Sequence, residues 1–153
     1  MNRLPDKMKR SLPAVSLALA VAAFAGCSTT PTYVPAAGEV LVPLRFMGMG
    51  KPQVCRAGQA LALETDARGV ARVPAGQRIT VGAYIYVDNY NRNFDCSPWI
   101  SFVPQPQSGY VAHAGLGESQ RCFVELVRED AARETGVALE PTFRPDACRP
   151  PPP

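Results

Sequence analysis

One histidine, five cysteines and a short run of acidic and amide side chains are the residues whose types could do chemistry here, and spacing decides how much. Proton transfer and triad-type nucleophilic catalysis usually recruit a histidine. The single candidate is His113, which alternates outward from Tyr110 and Ala112. No acid or hydroxyl partner stands beside it in sequence, so a solvent-facing strand histidine is the expected role, with a hydrolase centred on His113 as the enzymatic alternative. Ser108 precedes Gly109 outside any G-x-S-x-G frame, and a nucleophile elbow has no support. Met47-Gly48-Met49-Gly50-Lys51 has glycines and a lysine without the spacing that cradles phosphate. In residues 88–95, Asn89, Asn91, Asn93 and Asp95 place oxygens at every second position. With Asp88 and Asp95 as the only carboxylates, and no glycine or closing glutamate, this is not an EF-hand loop. Asx turns closing a long hairpin fit it better. No catalytic residue, metal or cofactor is expected.

The cysteines divide by position. Arg3, Lys7, Lys9 and Arg10 precede the uncharged, mostly apolar residues 12–26, and Cys27 follows at once. That is a signal peptide's layout, and the run is shorter than the 18 or so apolar residues of a spanning helix. Phe24-Ala25-Gly26-Cys27 resembles the lipobox of bacterial lipoproteins, with Phe24 where that family usually has leucine or another aliphatic residue. The resemblance implies that Cys27 is acylated and becomes the mature N-terminus. Ser28 in place of aspartate is what the family pattern associates with sorting onward to the outer membrane. Acyl chains such as palmitate, at about 0.8 kcal/mol per buried methylene, then anchor the protein without a membrane helix.

Cys55, Cys96, Cys122 and Cys148 remain, an even number in a compartment where disulfides persist. Two bridges are expected. Three pairings exist and sequence does not choose among them, although Cys55 with Cys96 and Cys122 with Cys148 is the preferred reading, because the second pair would tie the tail to a core strand. Zinc needs close C-x₂₋₄-C pairs, whereas the smallest gap here is the 26 positions from Cys96 to Cys122. A C-x-x-C redox site is lacking too.

Aromatic side chains gather in one region: Tyr84, Tyr86, Tyr90, Phe94 and Trp99. Tyr84 and Tyr86 point outward if Ile85 points inward. Exposed aromatics beside asparagines suit a sugar or protein partner, through stacking and adaptable hydrogen bonds. Cross-strand aromatic pairing on a sheet face is the structural alternative.

The elements that must position these groups read as strands, because the dominant hydrophobic period is two. Val40, Val42, Leu44 and Phe46 share one face, and Ile79, Val81, Ala83, Ile85 and Val87 make the clearest strand. Leu61 with Leu63, Ala71 with Val73, Ile100 with Phe102, Tyr110 with Ala112, and Cys122, Val124 and Leu126 continue the scheme, giving about seven strands. A further strand at 137–139 is weaker. Asp66-Ala67-Arg68-Gly69 and Pro74-Ala75-Gly76 are turn sequences. Only 128–134 suggests a helix, through Glu129 and Arg133 at i,i+4 and Gly136 beyond them. The expected fold is mainly β, a small antiparallel sandwich with two disulfides behind a signal peptide. Its expected parts are the signal peptide at 1–26, a flexible tether at 27–37, the sandwich at 38–148 and a proline-rich tail at 149–153. That tail reads as a solvated polyproline stub in preference to a ligand for a proline-binding module.

Charge and composition narrow the function. The net charge of +3 resides in the first ten residues, and the remainder holds 12 basic against 12 acidic side chains. A neutral body gives no electrostatic reason to bind nucleic acid. With 46% hydrophobic and 19% charged residues the chain is not disordered. Residues 73–81 read V-P-A-G-x-R-I-x-V, followed by Cys96, Phe102-Val103-Pro104 and Gly109-Tyr110. Across about residues 70–127 this layout resembles small lipoproteins of Gram-negative bacteria to which no activity is attached. This resemblance implies a shared sandwich fold, and the lipobox with Ser28 implies an outer-membrane anchor on the periplasmic face. The functional expectation is a non-enzymatic binding or envelope-accessory module with an envelope protein or glycan as partner. An inhibitor of a cell-wall hydrolase, for which Ser108-Gly109-Tyr110 resembles the Ser-Gly loop of known lysozyme inhibitors, and an envelope hydrolase using His113 are the alternatives.

Overall fold

The structure, a computed structural model, describes residues 29–89 and 92–149. The expected signal peptide at 1–26, Cys27, Tyr90 and the four terminal prolines lie outside the described residues. Eleven strands form, most of them on an alternation of apolar and polar side chains: β1 (Leu41–Gly48), β2 (Lys51–Arg56), β3 (Gln59–Ala62), β4 (Val70–Pro74), β5 (Ile79–Asn89), β6 (Arg92–Cys96), β7 (Trp99–Phe102), β8 (Tyr110–Leu116), β9 (Cys122–Glu129), β10 (Val137–Leu139) and β11 (Arg144–Asp146). Two sheets pack together. One has the order β10-β9-β8-β1-β4, the other β11-β7-β5-β2-β3, with β6 paired to the far half of β5.

The core lies where the inward residues of both sheets meet. Ile79, Val81, Ala83 and Ile85 of β5 are buried, as are Val42 and Leu44 of β1, Tyr110 and Ala112 of β8 and Val124 and Leu126 of β9. Phe102 and Tyr110 meet across the sandwich with ring centroids 5.0 Å apart. The Tyr110 hydroxyl accepts a 2.7 Å hydrogen bond from the Gln105 amide, which gives this buried ring's polar end a partner and fixes the turn before β8.

Several expectations change. All strand pairs are antiparallel except β1 with β8, which run parallel with Leu44 beside Tyr110. The chain leaves β1 for the other sheet, returns as β4, leaves again for β5 to β7 and comes back as β8, and such a crossover is what parallel neighbours require. Strands β2, β6 and β11 come on top of the expected seven and the weaker one at 137–139, because their apolar periodicity is thin: β2 buries Val54 alone, and all three residues of β11 are exposed. Val40 does not face the core. It is 60% exposed, because it precedes β1 and lies beyond the last pair, Leu41 with Pro74. The expected helix at 128–134 is absent. Arg128 and Glu129 finish β9, paired with Ala138 and Val137, and a turn follows in which Asp130 accepts from the Ala132 amide. Arg133 meets Asp130 at 3.4 Å and Glu129 meets Arg45 at 3.8 Å, so the supposed i,i+4 pair is replaced by others. Sheet pairing outweighs so small a helical preference.

The expected disulfide pairing is corrected. The bridges are Cys55–Cys148 and Cys96–Cys122. Cys55 stands in register with Thr80 on the outward face of β5, whereas Cys96 stands opposite Ile85 on the inward face. A Cys55–Cys96 bond would have to pass through the sheet. Cys122 joins Cys96 against the core, linking the two sheets. Cys148 follows β11, whose Asp146 accepts a 2.8 Å hydrogen bond from Thr80 Oγ1, and the tail is thereby laid over the outer face to reach Cys55.

Part of the expected tether is also structured. Thr32 bridges Ala62 in parallel, the Tyr33 amide donates to the Ala62 carbonyl at 2.8 Å, and Tyr33 is only 6% exposed. Residues 31–33 of the expected tether are therefore docked along β3.

Candidate functional site

Period two in β5 places Thr80, Tyr84 and Tyr86 on the outer face of the six-stranded sheet, opposite to the core residues between them. Trp99 stands directly across from Gly82 and therefore shares that face. The pairing needs glycine: a Cβ at Gly82 would come within 2.7 Å of the indole Cε3, so the ring lies close over the β5 backbone. Lys51 stands opposite Tyr84, Gln53 opposite Gly82 and Asp95 opposite Tyr86. Tyr86 is 51% exposed.

Of the five aromatics named from sequence, Tyr84, Tyr86 and Trp99 are brought to one face. Phe94 is not among them. It pairs with Val87, an inward residue, and so projects on the opposite side of the β5–β6 hairpin. Tyr90 is outside the described residues. Asp88 and Asn93 sit across from each other on the hairpin, and among the described residues no three His, Cys, Asp or Glu side chains converge as a metal would require.

A cleft of about 460 Å³ opens beside Tyr84, lined also by Lys51, Pro52, Gln53, Ala62, Thr29 and Thr30. The two threonines belong to the segment read as tether, and that segment is held in place by a small polar network. Glu39 accepts from the Ala36 amide at 2.8 Å, from Arg56 at 3.1 Å and from the Tyr33 hydroxyl at 3.4 Å. The Arg56 guanidinium lies 5.5 Å from the Tyr33 ring centroid, a cation–π distance. The Ala36 amide bond, with Arg56 and Tyr33 assisting, lowers the Glu39 pKa. Burial, reinforced by the Glu39 charge, raises that of Tyr33, so its hydroxyl stays a donor. Across the sheet, burial would raise Asp146, but bonds from the Ala147 amide, Thr80 and Ser101 outweigh it and the net shift is downward. Thr29, Thr30 and Gln53 had no signal in sequence, because a proline-flanked polar segment and one amide say nothing about where they dock.

The other sheet carries His113. It is exposed, stands opposite Glu125 on β9 and beside Met47 on β1, and packs on Phe123 with ring centroids 5.5 Å apart. No side chain among the described residues hydrogen-bonds to it. The glycine-rich turn after β1 is a crossover between sheets: Gly50 has φ +95°, and a Cβ there would come within 2.7 Å of the Tyr84 carbonyl. Ser108 and Gly109 precede β8, where the Glu129 carboxylate fills the space a side chain at Gly109 would need. No protein-family model, curated protein or solved structure matches this chain.

Proposed function

We propose that the protein is a lipid-anchored, non-enzymatic binding module at the periplasmic face of the outer membrane, and that its outer six-stranded face takes an envelope glycan. In this reading residues 1–26 are a signal peptide and Cys27 carries the acyl chains. The observation that carries the binding role is the sharing of one exposed face by Tyr84, Tyr86 and Trp99, beside a cleft whose other walls include Lys51, Gln53, Thr29 and Thr30. Aromatic rings offer flat apolar surface to the C–H faces of a sugar, while amide, hydroxyl and ammonium groups meet its hydroxyls. The docking of Thr32 on Ala62 supports a close attachment. Thr32 lies five positions after Cys27, a reach of at most about 18 Å, so a lipid on Cys27 keeps this cleft near the bilayer.

Binding of the purified chain to isolated cell-wall sacculi tests the glycan role. The double variant Tyr84→Ala, Trp99→Ala is expected to lose about tenfold in affinity, with circular dichroism unchanged. Undiminished capture by the variant rejects this face, and capture of an envelope protein in place of sacculi replaces the glycan. Intact mass of the cellular product, with Cys27→Ser as control, tests the anchor separately: the acylated mass and membrane fractionation should both disappear in the variant.

A further inference from the structure

Methionine is mostly a core residue, yet Met47 is 54% and Met49 44% exposed. The chain's other two methionines fall in its first ten residues. What the exposed pair flanks follows from the register of β1 with β8. Met47 stands beside His113 in that parallel pair, and both side chains rise from the outer surface of the five-stranded sheet, where His113 is itself exposed. The Met49 amide donates to the Ala114 carbonyl at 2.8 Å, which keeps the turn after β1 against β8. Between the two methionines is Gly48, with φ +90°, where a Cβ would come within 2.9 Å of the imidazole Cδ2 and 3.0 Å of its Nε2. The ring therefore lies against the glycine backbone, a place that only a residue without a side chain leaves open. Phe123 packs on the same ring, and Glu125 stands in register with His113 on the side away from Met47.

Two thioethers and one imidazole are a donor set of definite preference. Thioether sulfur is a soft, uncharged ligand that selects Cu(I) and ions like it, and imidazole serves copper equally well. Cys55, Cys96, Cys122 and Cys148 are closed in disulfides, so among the described residues the methionines are the soft sulfur donors left for a metal. Each methionine has three rotatable bonds and can close on an ion from its own side of Gly48, while the imidazole is already oriented by Gly48 and Phe123. Glu125 is the carboxylate to which the remaining ring N–H of a metal-bound imidazole would be donated.

We propose that Met47, Met49 and His113 bind one soft monovalent metal ion of the Cu(I) and Ag(I) kind, through two thioether sulfurs and one imidazole nitrogen. The site lies on the sheet opposite the aromatic face and depends on neither the anchor nor the glycan reading.

The test uses the purified full chain in detergent and chloride-free buffer, titrated with silver nitrate and read by NMR, with zinc nitrate as the harder counterpart. Silver should shift the Met47 and Met49 ε-methyls and the His113 ring together and saturably, and zinc should bind there about tenfold more weakly or worse. Because each side chain is read separately, silver held elsewhere in the chain does not enter the result. Met47→Leu, Met49→Leu and His113→Ala should each weaken silver at the remaining signals by about tenfold or more, since even an outer partner of a metal ligand is worth that much. The two leucine variants conserve volume at exposed positions, so their circular dichroism should match the parent's. Shifts confined to one of the three side chains, zinc binding as tight as silver, or unchanged silver affinity in any one variant overturns the proposal. Should His113→Ala fail to fold, the leucine variants decide by the same criterion.

Discussion

Asp66 opens the turn before β4, where its Oδ1 accepts from the Arg68 amide at 2.8 Å and from the Val70 amide at 2.9 Å. Those backbone bonds, the Val70 one foremost, lower its pKa. A carboxylate whose pKa is depressed by folding binds a proton less readily in the folded chain than in the unfolded one. The stability it contributes is therefore complete above the unfolded value, near pH 4, and is lost as pH falls through the lower folded value. Glu39 and Asp146 carry the same sign. The thermal midpoint should fall on acidification from about pH 5 to about pH 2. Asp66→Asn keeps an amide oxygen for the Val70 N–H but has no charge to lose, so its midpoint should be lower at neutral pH and fall less steeply in acid. A slope identical to the parent's, measured by circular dichroism melts across that window, would remove Asp66 from the account.

At the level of elements, the β2–β3 hairpin closes on Ala57-Gly58, both left-handed with φ of 49° and 78°. A two-residue connection with two positive φ values is the type I′ turn that matches strand twist, and it favours Asn-Gly. Alanine's Cβ makes the first position unfavourable by about 1 kcal/mol, so Ala57→Asn should stabilise by about 0.5–1 kcal/mol and raise the melting midpoint by a few degrees. A lower midpoint would mean that the turn is held by something other than its own conformation. The same hairpin shows what sequence made legible. Strand β5 was readable because five consecutive odd positions, from Ile79 to Val87, are apolar, and the whole face assignment of Tyr84 and Tyr86 follows from it. Strand β2 was not, since Pro52 and Cys55 interrupt its pattern and its strand character comes from being paired on both sides, by β3 and β5. Trp99 is placed only through its register with Gly82, and Phe94 projects to the other side because hairpin register, invisible in composition, decides its face. The end of the expected helix at 128–134 is the same lesson in reverse: local pairing of charges lost to a strand partner that lies eight residues further on, Val137 against Glu129.

Across the whole molecule, the donor set at His113 was illegible because Met47 and Met49 meet β8 only through the parallel pairing that two excursions to the other sheet produce. The disulfides were half legible: their number follows from parity, their partners only from which face each cysteine occupies. The two bridges do different work. Cys96–Cys122 joins the sheets through the core side and closes 26 positions, while Cys55–Cys148 straps the tail over the outer face and closes 93. In the chain-entropy description, loop length in the unfolded state sets the stabilisation, about 3–4 kcal/mol for the shorter loop and about 4–5 kcal/mol for the longer. A description based on native contacts gives the opposite order, since the inter-sheet bridge sits against the core and the strap lies at the surface. Urea unfolding of Cys55→Ser, Cys148→Ser against Cys96→Ser, Cys122→Ser distinguishes them, after peptide mapping under non-reducing conditions has confirmed that the remaining pair is intact. The strap-free variant is expected to lose more, because the constraint it removes acts on the unfolded chain and the exposed tail it releases gives up few contacts. Greater loss from the inter-sheet variant, with a changed dependence on urea, would instead assign the larger role to packing between the sheets.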